Sequence, residues 1–286
     1  MKKYFLLLFI LASGAASHLF AQDPAPLSVE YTPLQGGDFV GQSFQAAIAV
    51  PIVRQEKWMF AFSPSYRYQE LDQHDFVTDP SLQELSSRIM LQYKTSRNTR
   101  WQWIVSPSFS NPFSDRSGWT FNSALIFSKA NPVFSYSLGL AYSHRYKNNF
   151  LIPIFRLHWK PVEKWTFSGR IPLNLDVQYS PTLNWRYGAE ISNNTISGES
   201  GNDGYDWLSV REKSLAFYAN RKLFGNWWFC PSAGYTFSRQ IRSYTLPEHD
   251  SWSISDNFGQ IKSGIVDEAN ERGAFLKVGF KYTLEY

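Results

Sequence analysis

Large apolar side chains occupy every second position along most of the chain, and polar or small residues lie between them. The pattern recurs in 58–68, 101–109, 134–142 and 227–237, and again at the C-terminus. A period of two places the two sets on opposite faces of a β-strand. The sequence therefore predicts an all-β chain whose strands each have one apolar and one polar face.

The composition indicates which solvent the apolar face meets. Aromatic residues make up 17% of the chain and charged residues only 18%, against about 25% charged in a typical soluble domain. The aromatic residues concentrate near strand ends, as membrane interfaces prefer, and Ser, Gly, Thr, Gln, Lys and Arg dominate the other face. These features favour a transmembrane β-barrel with a polar lumen. A secreted β-sandwich is the alternative on composition alone.

The first residues predict export. Lys2 and Lys3 precede an apolar run over 4–12, small residues follow, and cleavage after Ala21 fits the junction. The apolar core is too short to span a bilayer as a retained helix, which disfavours an anchor helix. We therefore expect a signal peptide at 1–21 and a single barrel domain at 22–286.

Connection lengths predict about twelve antiparallel strands in a single barrel. Links at 54–56, 96–99, 130–132, 161–163 and 223–225 are tight, whereas those at 72–82, 111–118, 192–205 and 247–272 are long. Mostly alternating short and long links are typical of periplasmic turns and extracellular loops. An even strand number then places both termini in the periplasm. The predicted strands are 27–35, 39–53, 57–71, 83–95, 100–110, 119–129, 133–146, 150–160, 164–191, 206–222, 226–246 and 273–286.

Two further predictions follow from this strand assignment. The alternation over 164–191 never changes phase, so we interpret it as one long strand bent near Pro181; the alternative is a hairpin at 180–182, which changes the strand count. Four tryptophans each follow a tight turn, and we expect them at the periplasmic interface. They are Trp58, Trp101, Trp165 and Trp227.

The signal junction, the strand–turn series and the aromatic final residue resemble outer-membrane barrels of Gram-negative bacteria. More narrowly, the mature chain resembles an uncharacterised family of such barrels known only as a domain of unknown function. The resemblance implies an outer-membrane location, contact with outer-membrane lipid, and recognition of the last strand by the barrel-assembly machinery. Such barrels more often end in Phe than in Tyr. The residues that match the assembly signal are Phe280, Tyr282, Leu284 and Tyr286.

Motifs for catalysis and cofactors are weak. Outer-membrane phospholipase places a His-x-Ser pair on its lipid-facing wall, and His144 is the nearest counterpart. Residue 146 is Tyr rather than Ser, and Ser143 should point inward, so the nucleophile is missing. The histidines lack metal-ligand spacing, and Cys230 is the only cysteine. We therefore predict neither an enzyme nor a cofactor or metal site.

The functional hypothesis depends on the charged side chains that should face the lumen. The net charge of +4 is too small, and too evenly spread, to indicate nucleic acid. By parity, more cations than acids should face the lumen, where basic rings bias a pore toward small anionic solutes. The sequence is compatible with a narrow, porin-like, anion-biased diffusion channel, with a structural or surface-interaction barrel, and less well with a lipid-acting enzyme. The predicted lumen cations are Arg67, Arg88, Arg145, Arg156, Arg170, Lys277 and Lys281.

Overall fold

The computed structural model describes residues 26–34, 41–71, 81–110, 119–145, 148–171, 174–198, 207–245, 251–254 and 265–283. Within them lie sixteen β-strands. They are β1 (Leu27–Leu34), β2 (Gly41–Ile48), β3 (Val50–Arg54), β4 (Trp58–Glu70), β5 (Ser81–Lys94), β6 (Thr99–Ser110), β7 (Trp119–Ala130), β8 (Phe134–Arg145), β9 (Asn148–Val162), β10 (Trp165–Ile171), β11 (Asn174–Thr182), β12 (Trp185–Gly198), β13 (Trp207–Lys222), β14 (Trp227–Tyr244), β15 (Ser251–Ile254) and β16 (Ile265–Tyr282).

The strands close into one antiparallel barrel. Each strand pairs with its neighbours in chain order, β16 returns to β1, and the β9–β10 pairing completes the circle. β2 and β3 both pair with β4 and form one strand interrupted at Ala49, so the wall has fourteen strands. The short strand β15 lies outside this wall and pairs with β9 in parallel. The predicted all-β barrel is confirmed, and the predicted number of about twelve strands is approximately right.

The two additional strands come from 164–191, where the prediction of a single long strand is wrong. The segment forms β10, β11 and the start of β12, with a turn at 183–184; residues 172–173, between β10 and β11, lie outside the described residues. In the register, Arg170 pairs with Asn174, and Tyr179 pairs with Tyr187. Both pairs are an even number of residues apart, so the two hairpins preserve the phase of the alternation. Unbroken alternation therefore cannot distinguish one strand from three here.

The two ends of the barrel differ in their links. Short turns follow β3, β5, β7, β9, β11 and β13, and β1 begins and β16 ends on the same side, which we call the short-turn end. The other side, which we call the long-link end, carries the links at 71–80, 111–118, 199–206 and 245–264. The predicted alternation of short and long links holds in part, since the links at 146–147 and 172–173 on this side contain only two residues each. The strand predicted at 273–286 begins earlier, at Ile265, because the predicted 247–272 link contains β15 and the start of β16.

The four predicted interface tryptophans lie together at the short-turn end: Trp58, Trp165 and Trp227 each begin a strand, and Trp101 is the third residue of β6. Trp58, Trp101 and Trp165 are 41–44% exposed. Each of the four contacts an aromatic ring on the neighbouring strand, at centroid distances of 4.5 to 5.3 Å. The outer surface between the two ends carries exposed apolar side chains such as Leu125 and Leu138, both 52% exposed. The outer face is thus apolar with an aromatic girdle, as bilayer contact requires.

Some predictions fall on residues that the structure does not describe. The signal peptide at 1–21 and the assembly-signal residues Leu284 and Tyr286 lie outside the described residues. Phe280 and Tyr282 are described, near the end of β16. In the described part of the chain, no helix is both long enough and apolar enough to cross a membrane.

Candidate functional site

The middle of the barrel is hollow. Arg88 in β5 has the opposite parity to the outward Leu85, which is 51% exposed, so its guanidinium points inward. Arg88 is nevertheless exposed to solvent. It also lies close enough to act electrostatically on Arg170 of β10, which is five strands away along the wall. Water therefore reaches the lumen at this level.

One side of the lumen is purely basic. Strands β6 to β10 contain no aspartate or glutamate. The side chains that point inward from these strands include Arg145, Arg156 and Arg170, which the sequence analysis predicted as lumen cations. Arg156 and Arg170 are direct cross-strand partners, and the charges that act on Arg170 are those of Arg156 and Arg88. We call β6–β10 the basic wall.

The opposite side of the lumen is mixed in charge. Glu30 of β1 accepts ion pairs from Lys277, at 3.3 Å, and from Lys281, at 3.1 Å. Asp176 accepts a hydrogen bond of 2.7 Å from the Tyr218 hydroxyl, and Glu190 faces the same cavity as Glu30. The acidic side chains of β1 and β11–β16 therefore give this side of the lumen its mixed charge.

The seven predicted lumen cations therefore do not form one ring. Lys277 and Lys281 share a carboxylate, so their charge is largely neutralised. Arg67 pairs in register with Glu84, and its Nη1 donates a 3.0 Å hydrogen bond across the lumen to the Thr195 carbonyl. The other four, Arg88, Arg145, Arg156 and Arg170, lie on β5 or the basic wall.

Sequence reasoning missed several lumen charges, among them Glu30, Glu190, Arg239 and Glu271. Parity could have identified Glu30, between outward Val29 and Tyr31, and Glu190, next to outward Ile191, which is 46% exposed. Arg239 was missed because the register shifts between Thr236 and Arg239. The shift reverses the parity, so a residue expected to face outward faces the lumen. Glu271 was hidden because its segment was interpreted as a link.

Arg239 joins three parts of the wall near the long-link end. Its Nε lies 3.2 Å from Glu212 of β13, its Nη1 lies 3.3 Å from Glu271 of β16, and its Nη2 donates a 3.1 Å hydrogen bond to the Glu70 carbonyl of β4. Gln69 of β4 adds a 2.9 Å hydrogen bond to Glu212. These contacts hold the β4 side of the barrel against the β13–β16 side.

An apolar cluster lies at the same end and packs the two sides together. β12 comes close to β5 across the lumen, and both faces of Ile196–Gly198 are buried. Side chains from four strands and the residue after β4 meet there, each 3% exposed or less. The long-link end is therefore constricted, whereas the level of Arg88 is open. The members of the cluster are Leu71, Leu82, Ile196, Leu208, Val210 and Ile241.

The sequence of this barrel matches one described family. Residues 41–283 match the family described as a domain of unknown function (DUF6268). The chain belongs to this family. No curated protein shows significant similarity to the sequence.

Solved structures align with the DUF6268 barrel at low sequence identity. A KdgM porin aligns over 91% of this chain and 99% of its own, with 10% identity and a TM-score of 0.38. A NanC porin aligns over 90% and 100%, with 12% identity and a TM-score of 0.37. LpxR from Salmonella typhimurium aligns over 90% and 99%, with 6% identity and a TM-score of 0.36.

The outer surface of the DUF6268 barrel carries part of a hydrolase-like arrangement. His144 faces outward, and its Nδ1 lies 3.0 Å from the Asn149 side-chain oxygen, which also accepts a 2.6 Å hydrogen bond from the Tyr142 hydroxyl. Ser143 is buried with the opposite parity, and residue 146 lies outside the described residues. A histidine with an orienting amide is present, but no serine nucleophile accompanies it in the described segment. Three or more potential metal ligands do not cluster anywhere in the described ranges.

Proposed function

We propose that this DUF6268 barrel resides in the outer membrane and provides a narrow, non-enzymatic pathway for small anions along its basic wall. The observation that carries the proposal is the absence of carboxylates from strands β6–β10, whose arginines face a water-accessible lumen. The apolar outer face and its aromatic girdle support the membrane location.

The physical reason is electrostatic. In a narrow passage with low-dielectric walls, a charge acts on an ion far more strongly than in bulk water. Arg156 and Arg170 face each other as like charges, and Arg88 adds a third. An anion that enters this region relieves their mutual repulsion, whereas a cation increases it. Across the lumen, Glu30 pairs with Lys277 and Lys281, and Arg239 pairs with Glu212 and Glu271.

The orientation that fits this function places the short-turn end in the periplasm. Barrels of this kind have short periplasmic turns and longer extracellular loops. Both termini would then be periplasmic, which suits recognition of β16 by the assembly machinery. The Arg239 network and the apolar cluster would lie near the cell exterior and restrict the pathway there.

A structural barrel without transport is the second candidate. The observation that favours it is the closure of the long-link end by the apolar cluster, in which every member is almost fully buried. A channel requires the apolar cluster at the long-link end to open, whereas a structural barrel does not. A barrel that never opens should pass no current.

The test is the reversal potential of purified protein in planar bilayers under a salt gradient. We expect anion preference in the wild type, and its reduction or inversion in Arg88→Glu with Arg156→Glu. The matched control is Lys129→Glu with Arg221→Glu, which makes the same charge change at exposed sites of the short-turn end. Cation preference in the wild type, or an equal effect of the two double variants, would contradict the anion pathway.

A further inference from the structure

Basic side chains gather on the outer face of the barrel toward the long-link end. Arg211 and Lys213 of β13 have the same parity as Phe217, which is exposed on the outer face of that strand. Arg272 of β16 has the same parity as the exposed Leu276, and it is itself exposed. Two strands therefore present three cations to the surroundings of the barrel rather than to its lumen.

β14, which lies between these two strands, adds a fourth cation. Arg242 faces outward, because its neighbour Ile241 belongs to the apolar cluster inside the lumen. Its guanidinium acts electrostatically on Arg211 and lies 3.1 Å from Glu268 of β16. The Nε of Arg211 donates a 3.1 Å hydrogen bond to the side-chain oxygen of Asn193 on β12, which holds that guanidinium against the outer face. Four cations and Glu268 together leave an excess of positive charge. The outer basic patch consists of Arg211, Lys213, Arg242 and Arg272.

Strand length places this patch at the surface of a membrane. Trp227 marks the interface at the short-turn end, and a tilted strand crosses the hydrocarbon core in about 9–11 residues. Along β16, that length counted from Tyr282, the register partner of Trp227, ends at Arg272. Lys213 pairs with Ser238, which lies at the corresponding distance from Trp227 along β14. The outer basic patch therefore begins where hydrocarbon gives way to lipid headgroups.

Exposed apolar side chains lie on the bilayer side of the outer basic patch, on the same three strands. Tyr235 and Phe237 of β14 are 50% and 43% exposed, Leu276 of β16 is 61% exposed, and Phe217 of β13 is 63% exposed. Acyl chains can pack against these side chains while an anionic headgroup contacts the cations next to them. A cationic surface that continues into an apolar one matches the two ends of an anionic lipid.

We infer that the outer basic patch binds the phosphate groups of a lipid in the outer leaflet of the surrounding membrane. Arginine matches phosphate with paired N–H donors, and each Lys or Arg near a membrane surface adds attraction for anionic lipid. The cations extend over three neighbouring strands, about 10 Å across, so a headgroup with two phosphates is held more tightly than one with a single phosphate. This inference rests on the proposed membrane location and orientation, and it does not require the anion pathway.

The experiment is native mass spectrometry of the purified protein in detergent micelles, titrated with lipid A. The form of lipid A that carries two phosphates is compared with the form that carries one. Because a charge-assisted hydrogen bond strengthens binding by roughly tenfold or more, we expect the wild type to bind the two-phosphate form at least about tenfold more tightly. Equal binding of the two forms, or no binding of either, overturns the inference.

Charge variants locate the binding site on the barrel. Lys213→Gln with Arg272→Gln should weaken binding of two-phosphate lipid A by roughly tenfold or more, since each cation near a membrane surface contributes several-fold. Lys129→Gln with Arg221→Gln makes the same charge change at exposed sites of the short-turn end and should leave binding intact. Heat-modifiable migration in gels confirms that each variant is folded. Equal binding by the two double variants overturns the assignment to the outer basic patch.

Inorganic phosphate distinguishes a lipid site from a simple anion site. At an ionic strength matched with sodium chloride, an excess of inorganic phosphate should leave two-phosphate lipid A bound, because the acyl chains also pack against Phe237 and Leu276. Displacement by inorganic phosphate assigns the patch to free anions and overturns the lipid assignment. Reversal potentials separate this inference from the proposed function: Lys213 and Arg272 face away from the lumen, so anion preference can persist where lipid A binding fails, and lipid A binding can persist where the protein passes no current.

Discussion

Arg239 and Glu271 lie directly opposite each other on β14 and β16, with Nη1 and Oε2 3.3 Å apart and side-chain exposures of 0% and 4%. The same guanidinium contacts Glu212 and the Glu70 carbonyl. Removing one member of a buried ion network leaves an uncompensated charge, which costs about 3–5 kcal/mol. We therefore expect Arg239→Met to lower the free energy of unfolding by about that amount, measured by tryptophan fluorescence in urea with detergent micelles.

Arg242 supplies the control for this effect. It pairs with Glu268 at 3.1 Å, three positions further along the same two strands, but the side chains are 17% and 38% exposed. Exposed ion pairs contribute about 0–1 kcal/mol, so Arg242→Met should change stability little. If both variants lose the same stability, burial of the Arg239 network is not the cause.

The apolar cluster should control how much current the barrel passes. Leu82 and Ile196 come from opposite sides of the lumen and are each 1% exposed. Replacing both by Ala removes packing between the two sides, so we expect a larger single-channel conductance than in the wild type. Leu138→Ala with Leu140→Ala, on the exposed outer belt, is the matched control. Unchanged conductance in the cluster variant would show that this cluster is not the constriction.

The fold was largely predictable because one face of every strand meets a different medium from the other. Trp58 and Trp227 are examples: their parity predicted that they lie on the outer face, and the preceding turns predicted that they lie at the short-turn end. The prediction of one long strand over 164–191 was wrong for a related reason. Arg170 and Asn174 are register partners four residues apart, so the alternation continues unchanged from β10 into β11. Alternation reports the face on which a residue lies but not the direction in which its strand runs.

The charged site was predictable only in part. Parity assigns Arg88, Arg156 and Arg170 to the inward face, because no register shift separates them from the residues that define the outer face. It could not show that Glu30 neutralises Lys277, since β1 and β16 are almost the whole chain apart. The role of Arg239 depends on a local register shift and on tertiary contacts with β4 and β13, which alternation does not encode.

Gly188 should be intolerant of a side chain. A Cβ at this position of β12 would collide with the Tyr218 ring and with the Val177 carbonyl of β11. The same ring directs its hydroxyl to Asp176 at 2.7 Å. We expect Gly188→Ala to displace Tyr218 and to destabilise the barrel by about 1–3 kcal/mol, as overpacking does.

Two measurements check this prediction. Gly188→Ala should lower the midpoint of urea unfolding, whereas Gly188→Ala with Tyr218→Ala should recover part of the loss because the colliding ring is gone. Tyr218→Ala alone reports the cost of the lost hydrogen bond to Asp176. Additive losses in the double variant would show that the Tyr218 ring is not what excludes a side chain at Gly188.

The end of β16 provides the last prediction, which concerns assembly. Phe280 is 44% exposed on the outer face, and its ring lies 5.4 Å from Phe229. We expect Phe280→Ser with Tyr286→Ser to reduce heat-modifiable, membrane-inserted protein without affecting export. Phe217→Ser is the control, because Phe217 is 63% exposed on the outer face of β13 but lies far from the chain end. An equal defect in the control would mean that lost apolar surface, rather than recognition of the last strand, limits insertion. Normal insertion of the double variant would show that the aromatic C-terminal pattern is not read during assembly.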